Sequence, residues 1–393
     1  MKANAFLGTL RTSIVENFMV KNLLVLGDYG DITGGTSTVI NSVTPRLKKS
    51  FDEILVIAPR RRRRLYQDFV DDNIKVTYQP CGTIPYVTVS QPLIKTARIC
   101  TKILKESGNF KPSVTWVNDE ALQVSAKICG LSNRIRTVHG LPRVSMDLEK
   151  EVINVFEWKL SMWVLNILER EGLKDVSAIT TYSNYLKNKI QAYFSPTAQI
   201  HVIHNGIDPA LFHPTLMEKE DVITYVGRFA IIKGIHNLLQ AMKYVHRFYP
   251  NWKLWLVGDT FDQSMEHFKN IYNNRVVWRG HVHHNDIPNI LNHSKIFIMP
   301  TIRDGFEIAL MEAVASGVPS ITTSAYERKE IYKGLVTFCH KDDHIDLAKK
   351  IIEVIDNWEE YRKKAVEASR IARAKFSWDQ IAKEYLKVFE GAM

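Results

Sequence analysis

Short apolar runs alternate with longer stretches of helical period along this chain, the pattern of parallel sheets covered by helices. The first run is Asn22-Leu-Leu-Val-Leu-Gly27, followed by a glycine-rich turn and a helix-like segment from Ser37 to Lys49. A second, Glu53-Ile-Leu-Val-Ile-Ala58, ends at Pro59, and further strands are predicted at 75–78, 113–117, 135–138, 178–181 and 199–203. The series then restarts. Val222-Ile-Thr-Tyr-Val-Gly227 reads as a new first strand with its helix over 235–247, and strands follow at 252–258, 276–279, 296–299, 320–323 and 335–338. The fold class predicted is α/β, two Rossmann-like, doubly wound parallel-sheet domains facing a cleft. Between the two sets lies His204-Asn-Gly-Ile-Asp-Pro209, whose Asn-Gly and Asp-Pro pairs form turns. The expected division is 1–207 and 208–375. A final helix, 376–393, set off by Phe376-Ser-Trp378, is expected to pack back on the first domain.

Composition narrows the classes. The 393 residues exceed one ordinary core, and 45% hydrophobic with 24% charged residues is ordinary globular usage. Cys81, Cys100, Cys129 and Cys339 lie far apart without a Cys-x-x-Cys pair, which argues against a disulfide framework or a zinc site. All four read as small buried apolar residues. No secretory signal is legible, because Arg11 and Glu16 interrupt the apolar N-terminus. The longest uncharged apolar stretch of the aromatic-rich middle, Leu160 to Leu168, is too short to cross a bilayer. A cytoplasmic protein, or one peripheral at a membrane, is the expectation. The net charge of +10 calls for an anionic partner, whether nucleic acid, acidic lipid or phosphorylated small molecules.

Ligands of such sheets bind beyond the carboxyl ends of the strands, so the chemistry is sought in the loops that follow them. The sharpest segment runs Met299-Pro-Thr-Ile-Arg-Asp-Gly-Phe-Glu-Ile-Ala-Leu-Met-Glu-Ala-Val-Ala-Ser-Gly-Val-Pro-Ser-Ile321. A strand ends near Pro300, and a helix from about Phe306 to Ser316 points its free N–H groups at the cleft, where they suit a diphosphate. Glu312, two turns along, can reach a ribose hydroxyl of a nucleotide, and Asp304 a sugar hydroxyl. The plainer reading is a strand–turn–helix unit with Asp304 as its cap. In Tyr225-Val-Gly-Arg-Phe-Ala-Ile-Ile-Lys-Gly234, Arg228 and Lys233 converge on one strand-end loop and can neutralise a diphosphate, the alternative being two solvated cations.

The two acidic residues separated by seven, Asp304 and Glu312 with Gly305-Phe306 between them, resemble the signature of glycosyltransferase family 4. That family usually has Glu at the first position and Gly where Glu307 stands. Gly227-Arg228 with Lys233-Gly234 resembles its diphosphate-gripping pair, and Gly34-Gly35 its glycine loop. His139 in Thr137-Val-His-Gly-Leu-Pro142 resembles a residue that contacts the donor sugar, here a positioning group rather than a base. Ile179-Thr-Thr-Tyr-Ser183, 202–208 (with His204 where Pro is usual), Val257-Gly258-Asp259 and Gly280-His281-Val282 keep the family register.

The resemblance implies a GT-B fold and a retaining transfer of a sugar from a UDP- or GDP-sugar to an acceptor hydroxyl, with a lipid-linked compound or a glycan as the candidate acceptor. It implies Arg228, Lys233, Asp304 and His139 as catalytic residues. Gly34, Gly35, Gly227, Gly258, Val282, Gly305, Phe306, Glu307, Ile308 and Glu312 become donor-binding residues. No Asp-x-Asp stands at a strand end, so neither a metal ligand set nor a cofactor is expected.

Two features fall outside these motifs. Arg60 to Arg64 is a basic run that reads as a solvated loop, a nucleic-acid patch or a contact for anionic lipid. Val152, Phe156, Leu160, Trp163 and Ile167 recur at helical spacing, which fits core packing, while Trp158 and Trp163 also suit an interfacial helix. Other readings remain beside the transferase. An epimerase of the same fold needs further first-domain carboxylates, and a phosphorylase a cofactor lysine in a longer chain. A nucleic-acid-binding protein has only the one basic run to use, and an oxidoreductase lacks the Gly-x-Gly-x-x-Gly fingerprint.

Overall fold

The computed structural model describes residues 21–30, 35–60, 68–81, 90–106, 110–141, 155–258, 275–302, 306–324 and 327–393. The first half runs β1 (Asn22–Leu26), α1 (Gly35–Arg46), β2 (Glu53–Arg60), β3 (Phe69–Asp71), β4 (Ile74–Pro80) and α2 (Ser90–Glu106). It continues with β5 (Val114–Val117), α3 (Glu120–Ile128), β6 (Arg134–Val138), α4 (Val155–Gly172), β7 (Ala178–Thr181), α5 (Asn184–Phe194) and β8 (Gln199–Val202). The second half holds β9 (Glu220–Val226), α6 (Ile235–Phe248), β10 (Lys253–Val257), β11 (Val276–Gly280), α7 (Ile287–His293) and β12 (Ser294–Met299). Then come α8 (Ile308–Ala315), β13 (Ser320–Thr323), α9 (Arg328–Tyr332), β14 (Thr337–Cys339), α10 (His344–Asp356), α11 (Trp358–Lys375) and α12 (Trp378–Ala392).

Among the described residues the first sheet has the order β3-β4-β2-β1-β5-β6-β7-β8 and the second β11-β10-β9-β12-β13-β14. All pairs are parallel except β3 with β4. Helices cover both faces, so the central strands are buried on both sides and read as unbroken apolar runs. Both sheets are doubly wound, as the alternation predicts. Their strand order reverses between β1 and β5 and between β9 and β12, the places where such sheets open a ligand crevice. The antiparallel β3 has no sequence signal, because three exposed residues on a sheet edge carry neither burial nor period.

The halves are joined where the chain crosses between the sheets. Ile207 N–H donates to the Phe376 carbonyl at 2.7 Å, and Trp378 N–H to the Ile207 carbonyl at 3.0 Å. A Cβ on Gly206 would stand 2.7 Å from the Trp378 ring, so this crossing requires glycine. Beyond it, Ser377 caps α12 by accepting from Gln380 N–H. The helix then lays Tyr385 and Phe389 on Trp116 of β5, at ring distances of 5.0 and 5.5 Å. The last helix therefore completes the core under the first sheet, together with Phe51, Ile54 and Val76.

Three sequence expectations need correction. Leu160, Trp163 and Ile167 of α4 are exposed rather than packed in the core, Trp163 by 61%. The same helix buries Leu168 and Glu169 on another side. Val152 lies outside the described residues. Cys100 and Cys129 are only partly buried, whereas Cys81 and Cys339 are buried as expected. Arg60 is not part of a solvated loop. It ends β2, its guanidinium lies 4.5 Å from the Tyr78 ring centre, and it donates to the Tyr29 carbonyl. Arg61 to Arg64 lie outside the described residues.

Phe389 is fully buried against Trp116 and Phe51. Phe389→Ala should lower the unfolding free energy by roughly 3–5 kcal/mol, the usual cost of an emptied aromatic site. Urea unfolding followed by tryptophan fluorescence measures it. An effect of only about 0.5 kcal/mol, the scale of surface changes, would mean that α12 is not part of this core.

Candidate functional site

The site forms where the two switch points face each other. Gly35 begins α1 in the first half, and a Cβ built on it would lie 4.0 Å from Ile308 Cδ1 at the start of α8 in the second. Two helix N-termini, the positive ends of their peptide dipoles, thus approach from opposite domains, a field that favours an anion between them. Gly34, Asp304 and Gly305 lie outside the described residues.

The second-domain wall is built by backbone contacts at strand ends. Gly227 N–H donates to the Val257 carbonyl at 2.9 Å, and Gly258 N–H to the Gly280 carbonyl at 2.8 Å, aligning the loops after β9, β10 and β11. Arg228, just past β9, is exposed. The Tyr225 hydroxyl fixes its carbonyl at 2.7 Å. Gly234 has φ +69°, and a Cβ there would stand 2.0 Å from the Pro300 carbonyl oxygen, so only glycine lets this loop lie against the end of β12. Ile302 N–H then donates to the Ile232 carbonyl at 2.9 Å and locks the two loops together.

Five of the sequence-assigned residues have surroundings there that the motif did not reveal. The Lys233 ammonium lies 3.3 Å from Glu307 Oε1, which also accepts from the buried Thr301 hydroxyl. Glu312 is 5% exposed and binds His284 Nε2 at 2.7 Å, a contact that raises the His284 pKa. Phe306 packs edge-on to Tyr182 and to Phe376 and also meets His204, so its ring belongs to the seam between the halves. Val282 is half-buried against the second-domain core. The helix begins at Ile308, not Phe306. Thr301 and His284 were missed in the sequence, although each stands in a loop after a strand.

The first-domain wall encloses a cavity of about 190 Å³ lined by Gly27, Lys95, Asn118, Asp119, Arg136 and His139. Asp119 anchors it. One carboxylate oxygen accepts from Ala121 and Leu122 N–H at the start of α3, and the other binds Lys95 at 2.7 Å. Burial works against the Asp119 charge, but Lys95 and the cap outweigh it and hold its pKa below the ordinary value. Arg136 is buried between Glu169 at 3.1 Å and Glu120 at 3.5 Å. Burial, with Asp119 and Glu169 nearby, pushes Glu120 up to about 7. His139 Nε2 lies 3.0 Å from Asn118 Oδ1, so the neutral ring donates there and leaves Nδ1 as an acceptor. Burial, reinforced by the Arg136 charge, lowers His139 to about 3.

The folded His139 pKa of about 3 lies below its ordinary 6.5, so the unfolded chain binds more protons between those values. Stability from this group is complete above the ordinary value and is lost as pH falls towards 3. The His139 ring should show no protonation shift in an NMR titration from pH 8 to about 5. His139→Gln should lose less stability than the wild type on acidification. A ring that titrates near 6.5 would refute the buried, neutral assignment.

Comparisons with known proteins meet this geometry. The sequence family described as Glycosyltransferase Family 4 matches residues 33–211, and that described as Glycosyl transferases group 1 matches 208–372. An uncharacterised glycosyltransferase of Methanocaldococcus jannaschii is 28% identical over 241 residues, 55% of this chain and 60% of that protein. The chain thus spans about 60% of the length of the first curated relatives it matches. The UDP-Gal:alpha-D-GlcNAc-diphosphoundecaprenol alpha-1,3-galactosyltransferase of Escherichia coli is 26% identical, over 65% of this chain and 68% of its own. Sucrose-phosphate synthase from Thermosynechococcus elongatus shares the fold with a TM-score of 0.81 at 17% identity, covering 94% of this chain and 98% of its own.

Proposed function

The chain belongs to the family 4 glycosyltransferases, of GT-B fold, and on that premise we propose that it moves a sugar from a nucleoside diphosphate to an acceptor hydroxyl with retention of anomeric configuration. The observation that carries this reading is the meeting of two helix N-termini, α1 and α8, with Lys233 beside the start of α8 and Arg228 exposed on the loop after β9. Developing charge on a departing diphosphate is what such fixed donors stabilise. Arg228 is the fork that engages the phosphates, Lys233 the point charge beside it, and Asp304 and His139 orient the donor sugar. The galactosyltransferase relative acts with UDP-galactose by its name, which favours a uridine donor here.

The positive field comes from the protein itself, so we propose that no metal ion is obligatory. Turnover in excess chelator should equal turnover in magnesium; abolition by the chelator would end that part of the proposal. Arg228 is exposed, and its side chain can be removed without opening the core. Arg228→Ala should therefore cost on the order of 10²–10³ in turnover, as for other lost charge-stabilising donors, with an unchanged melting temperature. A near-wild-type rate would sink the mechanism. Nucleoside diphosphates and their sugars should raise the melting temperature by mass action. A shift with oligonucleotides alone would favour the nucleic-acid reading instead.

A lipid-linked acceptor is the second part of the proposal, supported by the exposed Leu160, Trp163 and Ile167 of α4 and by the net charge of +10. The protein should sediment with anionic liposomes at low salt, and Trp163→Glu should weaken that several-fold. No sedimentation of the wild type would remove the membrane contact.

A further inference from the structure

The cleft assigned to a donor diphosphate contains a carboxylate of its own, already placed on the cation that should hold the phosphate. The Glu307 side chain is 3% exposed and stands immediately before the first turn of α8. It does not cap that helix. Instead Oε1 takes the Thr301 hydroxyl and lies 3.3 Å from Lys233 Nζ, while Oε2 is buried without a hydrogen-bond partner among the described residues. The backbone beside it is fixed as well, because the Tyr332 hydroxyl donates to the Glu307 carbonyl at 2.9 Å. Thr301 and Tyr332 are fully buried, so the carboxylate is held by the first and the backbone that carries it by the second.

The two partners are not equally mobile. Glu307 is anchored in the scaffold, whereas the Lys233 ammonium sits on four methylenes and reaches the more open side, its side chain 14% exposed. A phosphate entering the cleft must draw Lys233 against the attraction of Glu307 and meets a second negative charge beside it. Both effects weaken anion binding, and both act only on the charged part of the ligand.

We propose that Glu307 is an internal counter-ion that competes with the donor's phosphates for Lys233 and holds down the affinity of this site for nucleoside diphosphates. It is an affinity-setting residue that acts through Lys233 rather than a group in contact with the reacting atoms. The inference rests on the transferase reading of the cleft. It makes a demand that damage to the fold cannot imitate: removing a buried charge should improve binding.

The test measures UDP and GDP, with uridine as the uncharged control, by titration calorimetry on the full chain. Glu307→Gln keeps the shape of the side chain and removes the charge. It should bind the preferred diphosphate about tenfold tighter than wild type, which corresponds to about 1.4 kcal/mol. Uridine affinity should stay the same and the melting temperature of the ligand-free protein should fall, because the buried ion pair with Lys233 is broken. The double variant Lys233→Met with Glu307→Gln, whose site carries neither charge, should lose the gain. If the wild type binds a diphosphate but Glu307→Gln binds it equally or more weakly, the counter-ion is refuted and the donor cleft stands. If neither diphosphate binds wild type or either variant, the donor reading fails and the inference fails with it. A gain that survives in the double variant would also refute it, since the effect would not run through Lys233.

Discussion

The arrangement of this molecule depends on one short backbone contact, the pair of hydrogen bonds between Ile207 and the Phe376–Trp378 turn. The chain passes from one sheet to the other at Ile207 and returns at Ser377, and the two crossings are tied to each other. Around them His204, Phe306 and Phe376 form an aromatic seam, with Tyr182 and Tyr332 on its flanks. Phe306 is the bridge to the chemistry, because it lies two residues before α8. The geometry of the facing helix starts is therefore set by the same packing that joins the domains. Glu330 adds to this tie by accepting from the Asn184 and Tyr185 N–H groups at the start of α5, so a second-domain carboxylate caps a first-domain helix.

Away from the seam, the cleft is organised by charge compensation. Lys95 is matched by Asp119, Arg136 by Glu169, His284 by Glu312 and Lys233 by Glu307. Burying any of these alone would be expensive; three of the pairs tie down a segment that follows a strand, and Arg136–Glu169 ties β6 to α4. The pairing leaves the exposed Arg228 as a cation held by its backbone alone in the contacts described above. Among the described residues the walls of the site are thus largely neutral pairs, with Arg228 exposed at the end of β9.

The fold was legible because parallel strands buried on both faces must be apolar throughout, and runs such as 222–227 and 252–258 stand out on that ground alone. The strand–turn–helix unit that carries Glu312 was equally legible, although its helix begins at Ile308 rather than Phe306. What could not be read was which partner each charged residue takes. Glu307 looked like a charge near a phosphate, and only its contact with Lys233 and Thr301 turns it into half of an ion pair. The helical period over 152–167 was read as a core stripe, yet Trp163 faces outward, because period locates an apolar face without saying what covers it. Arg60 escaped for the opposite reason. Its charge suggested solvent, while its guanidinium lies on Tyr78.

The return of α12 to the first sheet has a consequence for how this protein is born. Residues 22–202 leave the ribosome before α12 and already contain every strand of their sheet among the described residues, yet Trp116 lacks the cover of the Tyr385 and Phe389 rings until that helix arrives. The domain that is synthesised first is thus the one finished last. Until then the patch that α12 covers stays open, a stretch in which a chaperone has something to hold.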